Sequence, residues 1–336
     1  MIDIKRKRYL EPIAQKWLGW VCVYFYTVET GNSRPYLNMA NGRHYFNTRA
    51  DKMYCQLKKV IRDYSRGRRA LEFRLLAILR LYKKQFSKIV LASPAQLDAL
   101  VAATNVRSRQ PKSLVAAIKK VMVPHYEALA KEHGHDLVKE LGIKTCPYCN
   151  RQFIHSFEAI RAERPELDHF YPKAMYPFLC LSFYNLIPVC HSCNHVKLED
   201  EIGVNPYSRA FNSRFSITDK NGNKLPKSKI FKLTEKEIGI KLDGKSAEEE
   251  KNSQVLGLEN VYGKHTDYVK ELIDKTMAYD SYARKALVES FQGAGYHPRQ
   301  VFDFVWGKHL IDAEYEDKPL SKLTKDILDL LGIRRG

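Results

Sequence analysis

Two pairs of cysteines in the middle of the chain have the spacing of a metal site. Cys146 and Cys149 are separated by two residues, as are Cys190 and Cys193, and forty residues (150–189) lie between the pairs. This spacing lets both thiolates of one turn reach the same ion, and four thiolates fill the tetrahedral shell of structural zinc. The alternative of unrelated redox or packing pairs lacks the thioredoxin-like βαβ pattern it would need. We therefore expect a structural Zn²⁺ on these four cysteines.

A second group of polar residues lies between and just after the cysteine pairs. It contains Asp168, His169, Asn185 and Asn194. A neutral imidazole can take a proton from water at pH 7, so His169 is a candidate general base. Asp168 supplies a carboxylate and Asn194 an amide oxygen, which are ligand types that a hard divalent cation such as Mg²⁺ or Mn²⁺ prefers. A base and a cation of this kind are suited to phosphodiester hydrolysis.

Three basic residues near this group are candidates for contact with a substrate phosphate. Lys197 lies three residues after Asn194 and shares its face if the segment is helical. Lys173 and His195 are further candidates, although a solvated surface position explains Lys173 equally well. His195 is also an alternative ligand of the divalent ion.

The order of these motifs resembles that of the zinc-bearing HNH endonucleases. It reads Cys-x-x-Cys, then Asp-His-x-x-Pro, then Asn-Leu-x-x-x-Cys-x-x-Cys-Asn-x-x-Lys, and it covers residues 144–200. The resemblance implies a ββα-metal fold, in which a two-stranded hairpin and a helix close around one catalytic metal. It also implies that Asp168 and Asn194 hold the divalent ion and that Asn185 orients the imidazole of His169. Asparagine replaces the third histidine of the family pattern.

A looser resemblance involves the flanks of the motif. Residues 167–172, 184–188 and 319–328 are similar to segments of HNH effector nucleases from bacterial anti-phage systems, of which the Septu-type nuclease subunit is the nearest kind. That resemblance implies an ATPase partner docked on the helical arms and a nuclease restrained until infection. It does not decide whether the protein forms an oligomer or a heteromeric complex.

Two other functions remain open at this stage. One is a stand-alone restriction-type HNH endonuclease whose helical arms bind its target DNA. The other is a non-catalytic zinc module that binds nucleic acid or protein, although such a module would not need an aspartate, a histidine and two asparagines in this arrangement.

The charge of the chain favours a polyanionic partner. The 336 residues carry a formal net charge of +18, with 44% hydrophobic and 28% charged residues. A surplus of this size attracts nucleic acid, and DNA is the expected substrate, with RNA left open. No run approaches the ~20 apolar residues of a membrane span, so we expect no membrane association.

The cysteines and the N-terminus indicate a cytoplasmic protein. Seven cysteines, four of them in close pairs, favour metal binding in a reducing compartment over disulfides. The apolar segment Val21–Val28 follows a basic run, but no small-residue cleavage site comes after it. We interpret it as a buried β-strand.

These patterns predict an α+β fold that is mainly α-helical. A central ββα-metal HNH module, stapled by a four-cysteine zinc site, would be flanked by helical N- and C-terminal regions. The expected domains are a mainly helical region at 1–142 with a short β element near 20–45, the nuclease domain at 143–207, and a mostly helical region at 208–336.

Finer expectations follow from periodicity and from turn residues. In the N-terminal region we expect helices over 48–91 and 113–141, the first interrupted at Gly67 and the second kinked or divided at Pro124, and a helix that begins with a capping box at Ser93. Expectations for the rest of the chain are a second hairpin strand over 178–184, a helix from Asn194, a hairpin around Asn221-Gly222, a long helical stretch from Ser246 to Tyr279, and a tail helix that ends near Gly332.

Overall fold

A computed structural model describes residues 4, 10–28, 44–46, 48–65, 68–84, 86–104, 112–157, 164–307, 315 and 317–333. Helix makes up 63% and strand 9% of the structure, so the expectation of a mainly helical α+β fold is confirmed. The strands form small two-stranded antiparallel sheets, each built from two strands that follow each other in chain order.

The first half of the chain contains two short strands among helices. In chain order, the elements are α1 (Leu10–Phe25), β1 (Tyr26–Val28), β2 (His44–Phe46), α2 (Thr48–Tyr64), α3 (Arg69–Lys84), α4 (Ser87–Val90), α5 (Pro94–Thr104) and α6 (Lys112–Leu141).

The second half contains the remaining strands, with helices between and after them. In chain order, the elements are β3 (Glu166–His169), β4 (Leu186–Val189), α7 (His191–Lys197), β5 (Arg214–Asp219), α8 (Lys227–Ile230), β6 (Ile238–Asp243), α9 (Ala247–Val255), α10 (Leu258–Tyr262), α11 (Thr266–Ala278), α12 (Ser281–Gly293), α13 (Pro298–Trp306) and α14 (Ser321–Leu331).

The chain divides into two compact units, each built from separate segments. One unit comprises Lys7–Ile143 and Ile154–Glu201, and the other comprises Met1–Arg6, Lys144–Phe153 and Ile202–Gly336. The segment changes at 143 and 201 lie near the expected boundaries at 142 and 207. The stretch expected to be the nuclease domain contributes residues to both units.

Helix α1 replaces most of the strand expected over Val21–Val28. Ile13, Trp17, Val21 and Phe25 are all buried and lie four residues apart, which is the period of one helix face. This face packs against α6, and burial along it outweighs the β-propensity of the aromatic and β-branched residues. The strand prediction is correct only for β1, which pairs with β2.

Helix α6 is one continuous helix of 30 residues, so of the two outcomes expected at Pro124, a kink or a division, the division is wrong. Pro124 lies on the exposed side, while Ile118, Met122 and Tyr126 on the other side are buried. Because that apolar face continues through the proline, packing maintains the helix despite the missing backbone donor. The expected break at Gly67 lies outside the described residues.

The capping box predicted at Ser93 is confirmed. The Ser93 backbone N–H donates to the Gln96 side chain at 2.9 Å, and the Gln96 backbone N–H donates to the Ser93 hydroxyl at 3.4 Å. Helix α5 begins directly after Ser93, as the pattern indicates.

In the unit that contains residues 202–336, β5 does not form the tight hairpin expected around Asn221-Gly222. The turn is present, with Gly222 at φ +82° and an isolated bridge between Thr218 and Lys224. The partner strand of β5 is β6, where alternate residues are buried. Because the residues after the turn lack an alternating apolar face and reach Pro226, they cannot supply a strand.

The long helical stretch expected from Ser246 to Tyr279 consists of three helices, α9, α10 and α11. Gly257, at φ +59°, ends the first of them. The tail helix α14 ends at Gly332, at φ +82°, as expected. Within the part of the chain that the structure describes, no helix combines the length and the apolarity needed to cross a membrane.

Candidate active site and cysteine cluster

The polar residues of the central stretch are positioned by a strand, a second strand and a helix. Strand β3 pairs antiparallel with β4, with Asp168 opposite Ile187 and His169 opposite Leu186. Helix α7 begins at His191, two residues after β4 ends, and the intervening Cys190 occupies its N-cap position. The helix therefore starts three residues earlier than expected.

The segment expected to be the second hairpin strand, 178–184, is a buried connection containing two 3₁₀ turns. Its backbone carbonyls accept hydrogen bonds from side chains in other elements. The Trp17 indole donates to the Leu181 carbonyl at 2.9 Å, and the Tyr82 hydroxyl donates to the Phe178 carbonyl. Since helices α1 and α3 satisfy these carbonyls, the segment does not need a strand partner.

His169 is held as a neutral imidazole at the end of β3. Its Nε2 lies 3.1 Å from the Cys180 carbonyl oxygen, which can only accept, so Nε2 carries the proton and Nδ1 has the free lone pair. Only 4% of the residue is exposed, and burial lowers the pKa to about 3, with further lowering from the charges of Lys173 and Lys197. The ring packs edge-on against Tyr126 at 4.5 Å.

Asn185 acts on the backbone that surrounds His169. Its Oδ1 accepts from the Tyr171 backbone N–H at 2.7 Å, and its Nδ2 donates to the Tyr171 and Leu179 carbonyls at 3.1 and 3.0 Å. The side chain thus joins the loop that leaves His169 to the segment that carries the Cys180 carbonyl.

Lys197 has a different position from the one expected for a phosphate-binding lysine. Its side chain is fully buried, and its ammonium lies 3.1 Å from one Asp168 oxygen and 3.2 Å from the other. It also donates to the His169 carbonyl at 2.9 Å. Since Asp168 is itself only 6% exposed, the two charges form a buried ion pair.

We predict that Lys197→Ala destabilises the protein by about 3–5 kcal/mol in the absence of added Mg²⁺ or Mn²⁺, because it leaves the Asp168 carboxylate buried without its cation. Lys173→Ala is the matched control. That lysine is partly exposed and 3.6 Å from Glu127, so its loss should cost about 1 kcal/mol or less. Urea unfolding in buffer without chelator and without added Mg²⁺ or Mn²⁺ measures both effects, and equal costs would contradict the ion-pair assignment.

Glu166 belongs to the same group, although the sequence analysis did not select it. One of its carboxylate oxygens accepts from the Asn194 amide nitrogen, and the other lies 2.6 Å from His191 Nδ1. Glu166 precedes Asp168 by two residues on β3, so both side chains lie on one face of the strand. The two-residue spacing of these carboxylates could have identified Glu166 as a site residue from the sequence.

A cavity of about 340 Å³ brings most of the predicted site residues together. From the prediction it contains Asp168, His169, Lys173, Asn194 and His195, and it is also lined by Lys119, Glu166, Leu167, Pro172, Ala174, His191, Leu198 and Glu199. Asn185 and Lys197 are not part of this lining. Both side chains are buried. Lys197 binds Asp168 and the His169 carbonyl, and Asn185 binds the backbone of Tyr171 and Leu179.

The four paired cysteines lie close together. All are buried, and their sulfur atoms are all within 4.8 Å of one another. Four thiolates around one zinc ion would lie about 3.8 Å apart, given Zn–S bonds of about 2.3 Å, so the cluster fits the expected structural ion. Arg151 donates its backbone N–H to the Cys149 sulfur at 3.4 Å.

The remaining cysteines, Cys22, Cys55 and Cys180, are thiols that take part in no disulfide within the described residues. Burial raises the pKa of Cys22 and of Cys180 to about 12, so both are protonated and unreactive at neutral pH. The expectation that cysteine serves metal binding here, rather than disulfides, agrees with this distribution.

The cavity offers a neutral imidazole, oxygen ligands for a hard cation and lysines at its wall. These groups could activate water next to an anionic ester. Comparison with protein-family models, with curated proteins and with solved structures gives no match to this chain.

Proposed function

We propose that the protein is a metal-dependent HNH endonuclease that hydrolyses phosphodiester bonds in DNA. The observation that carries this proposal is the state of His169. Its Nε2 is fixed by the Cys180 carbonyl and it shares one cavity with Asp168 and Asn194. A buried neutral imidazole with one committed nitrogen leaves the other free to accept a proton.

Asp168 and Asn194 are the residues that would hold a divalent ion. They belong to different elements, β3 and α7, yet both line the same cavity with oxygen-bearing side chains. The Asn194 nitrogen is engaged by Glu166, so its oxygen is free for an ion. This donor set fits Mg²⁺ or Mn²⁺, which retain several water ligands, and the ion would supply charge stabilisation at the phosphate.

The protein residues have distinct tasks in this proposal. His169 accepts a proton from the attacking water at Nδ1, while the Cys180 carbonyl stabilises the imidazolium that forms. Asn185 maintains the backbone around the imidazole. Lys197 holds the Asp168 carboxylate and the His169 carbonyl, which fixes the adjacent catalytic residues relative to each other.

DNA is the proposed substrate because the net charge of +18 favours a polyanion. The looser resemblance of the flanks supports an effector role in bacterial anti-phage defence, together with an ATPase partner in a heteromeric complex. Co-elution of the two proteins in size-exclusion chromatography tests that role. Two separate elution peaks would favour a stand-alone restriction-type enzyme.

Incubation of the purified protein with plasmid DNA in Mg²⁺, in Mn²⁺ or in EDTA tests the nuclease activity. We expect nicked or linear products with either ion and none with EDTA. If wild-type protein binds DNA but yields no products under any of these conditions, even with its partner, the non-catalytic zinc module becomes the better explanation.

A further inference from the structure

Three lysines lie in or behind the wall of the cavity, and only the two that line it are available to a substrate. Lys197 is buried and holds Asp168, so its ammonium is already neutralised. Lys119 and Lys173 line the same cavity with side chains that are 41% and 36% exposed. Of the phosphate-contact candidates, Lys197 is therefore already committed to Asp168, whereas Lys173 and the additional lysine Lys119 are accessible.

Lys119 lies on α6, about fifty residues before β3 and outside the motif that resembles an HNH nuclease. Its ammonium is 3.5 Å from a Glu199 oxygen, and the Glu199 side chain is 67% exposed. An exposed ion pair at this distance contributes little free energy, so an incoming phosphate can displace Glu199.

Lys173 supplies a second available cation on the same wall. Its ammonium is 3.6 Å from Glu127 and 5.0 Å from the ring centre of Tyr126, and both of these residues also belong to α6. Three carboxylates, of Glu166, Asp168 and Glu199, line the cavity and would repel a phosphate. The two accessible lysines of the lining can offset this repulsion.

We propose that Lys119 binds a backbone phosphate of the DNA, with Lys173 beside it, so that α6 forms a wall of the DNA-binding site. This inference rests on the proposed nuclease function and adds a substrate contact from outside the strand–strand–helix motif. Phosphate contacts of this kind position the DNA and do not read its sequence.

The test is DNA binding in EDTA, where cleavage is blocked, by fluorescence anisotropy at several salt concentrations. Lys119→Gln is compared with Lys120→Gln, which removes the same charge from the next, exposed residue of α6 that does not line the cavity. We expect Lys119→Gln to weaken binding about fivefold for every DNA sequence and to reduce the slope of log Kd against log salt by about one. Lys120→Gln should leave both close to wild type.

Glu199→Gln provides a test in the opposite direction. Removal of this carboxylate should tighten DNA binding when Lys119 is present and should have a smaller effect in the Lys119→Gln background. Equal effects of Lys119→Gln and Lys120→Gln on DNA binding would overturn the inference about Lys119. The proposed nuclease function would stand in that case if the wild-type protein cleaves DNA. Absence of both DNA binding and cleavage in the wild-type protein would overturn the two proposals together.

Discussion

Replacement of His169 with glutamine is expected to reduce DNA cleavage by about 10²–10⁴-fold, the usual contribution of a general base. The glutamine amide can still donate a hydrogen bond towards the Cys180 carbonyl, but it cannot accept a proton from water. DNA binding in EDTA should remain near wild type, because His169 is a neutral residue that contributes no charge to phosphate binding. Plasmid cleavage rates in Mg²⁺, together with anisotropy, measure the two effects.

His155→Gln is the matched control for this experiment. His155 is exposed and does not line the cavity, so the variant should cleave at the wild-type rate. A His169→Gln protein with unchanged thermal unfolding and undiminished cleavage would show that the imidazole is not the base. An equal loss of activity in both variants would point to a general effect of histidine removal.

The second large effect is expected from loss of the cysteine cluster. Wild-type protein should contain one zinc ion per chain, and Cys190→Ser should contain none, because a serine hydroxyl is a poor replacement for a thiolate at zinc. Apparent binding free energies of structural zinc are about 10–16 kcal/mol in zinc-finger peptides, which is as large as the whole stability of a typical domain. We therefore expect the variant to lose about 10 °C or more in its unfolding midpoint.

Cys55→Ser controls for the loss of a thiol. Cys55 is exposed and lies outside the cluster, so its replacement should preserve both zinc content and the unfolding midpoint. Elemental analysis after dialysis gives the zinc content, and differential scanning calorimetry gives the midpoint. Full zinc content in Cys190→Ser would show that the cluster does not hold the ion.

The residues that carry the proposed chemistry could be identified from the sequence because their spacing is short. Two residues between cysteines place both on one turn, and Asp168 and His169 are adjacent. Glu166 could have been selected in the same way, from its alternation with Asp168 on a strand. Likewise, the four-residue spacing of Ile13, Trp17, Val21 and Phe25 indicates a helix, although we predicted a strand for part of this segment.

Other features depend on groups that are far apart in the sequence, and no local spacing reveals them. Lys197 has the position in the chain expected of a phosphate ligand, but burial by its surroundings commits it to Asp168. The tautomer of His169 depends on the Cys180 carbonyl, which is in turn placed by a connection that α1 and α3 hold through side-chain hydrogen bonds.

By itself, the sequence determined the mainly helical fold, the grouping of the four cysteines and the set of polar residues between them. These follow from periodicity and from the spacing of residues within single turns, which are local properties of a chain. Only the tertiary structure decided that Lys197 is buried in an ion pair with Asp168, and that Lys119 of α6 lines the same cavity as Asp168 and His169. Burial and the choice of ionic partners depend on elements that packing brings together from distant parts of the chain.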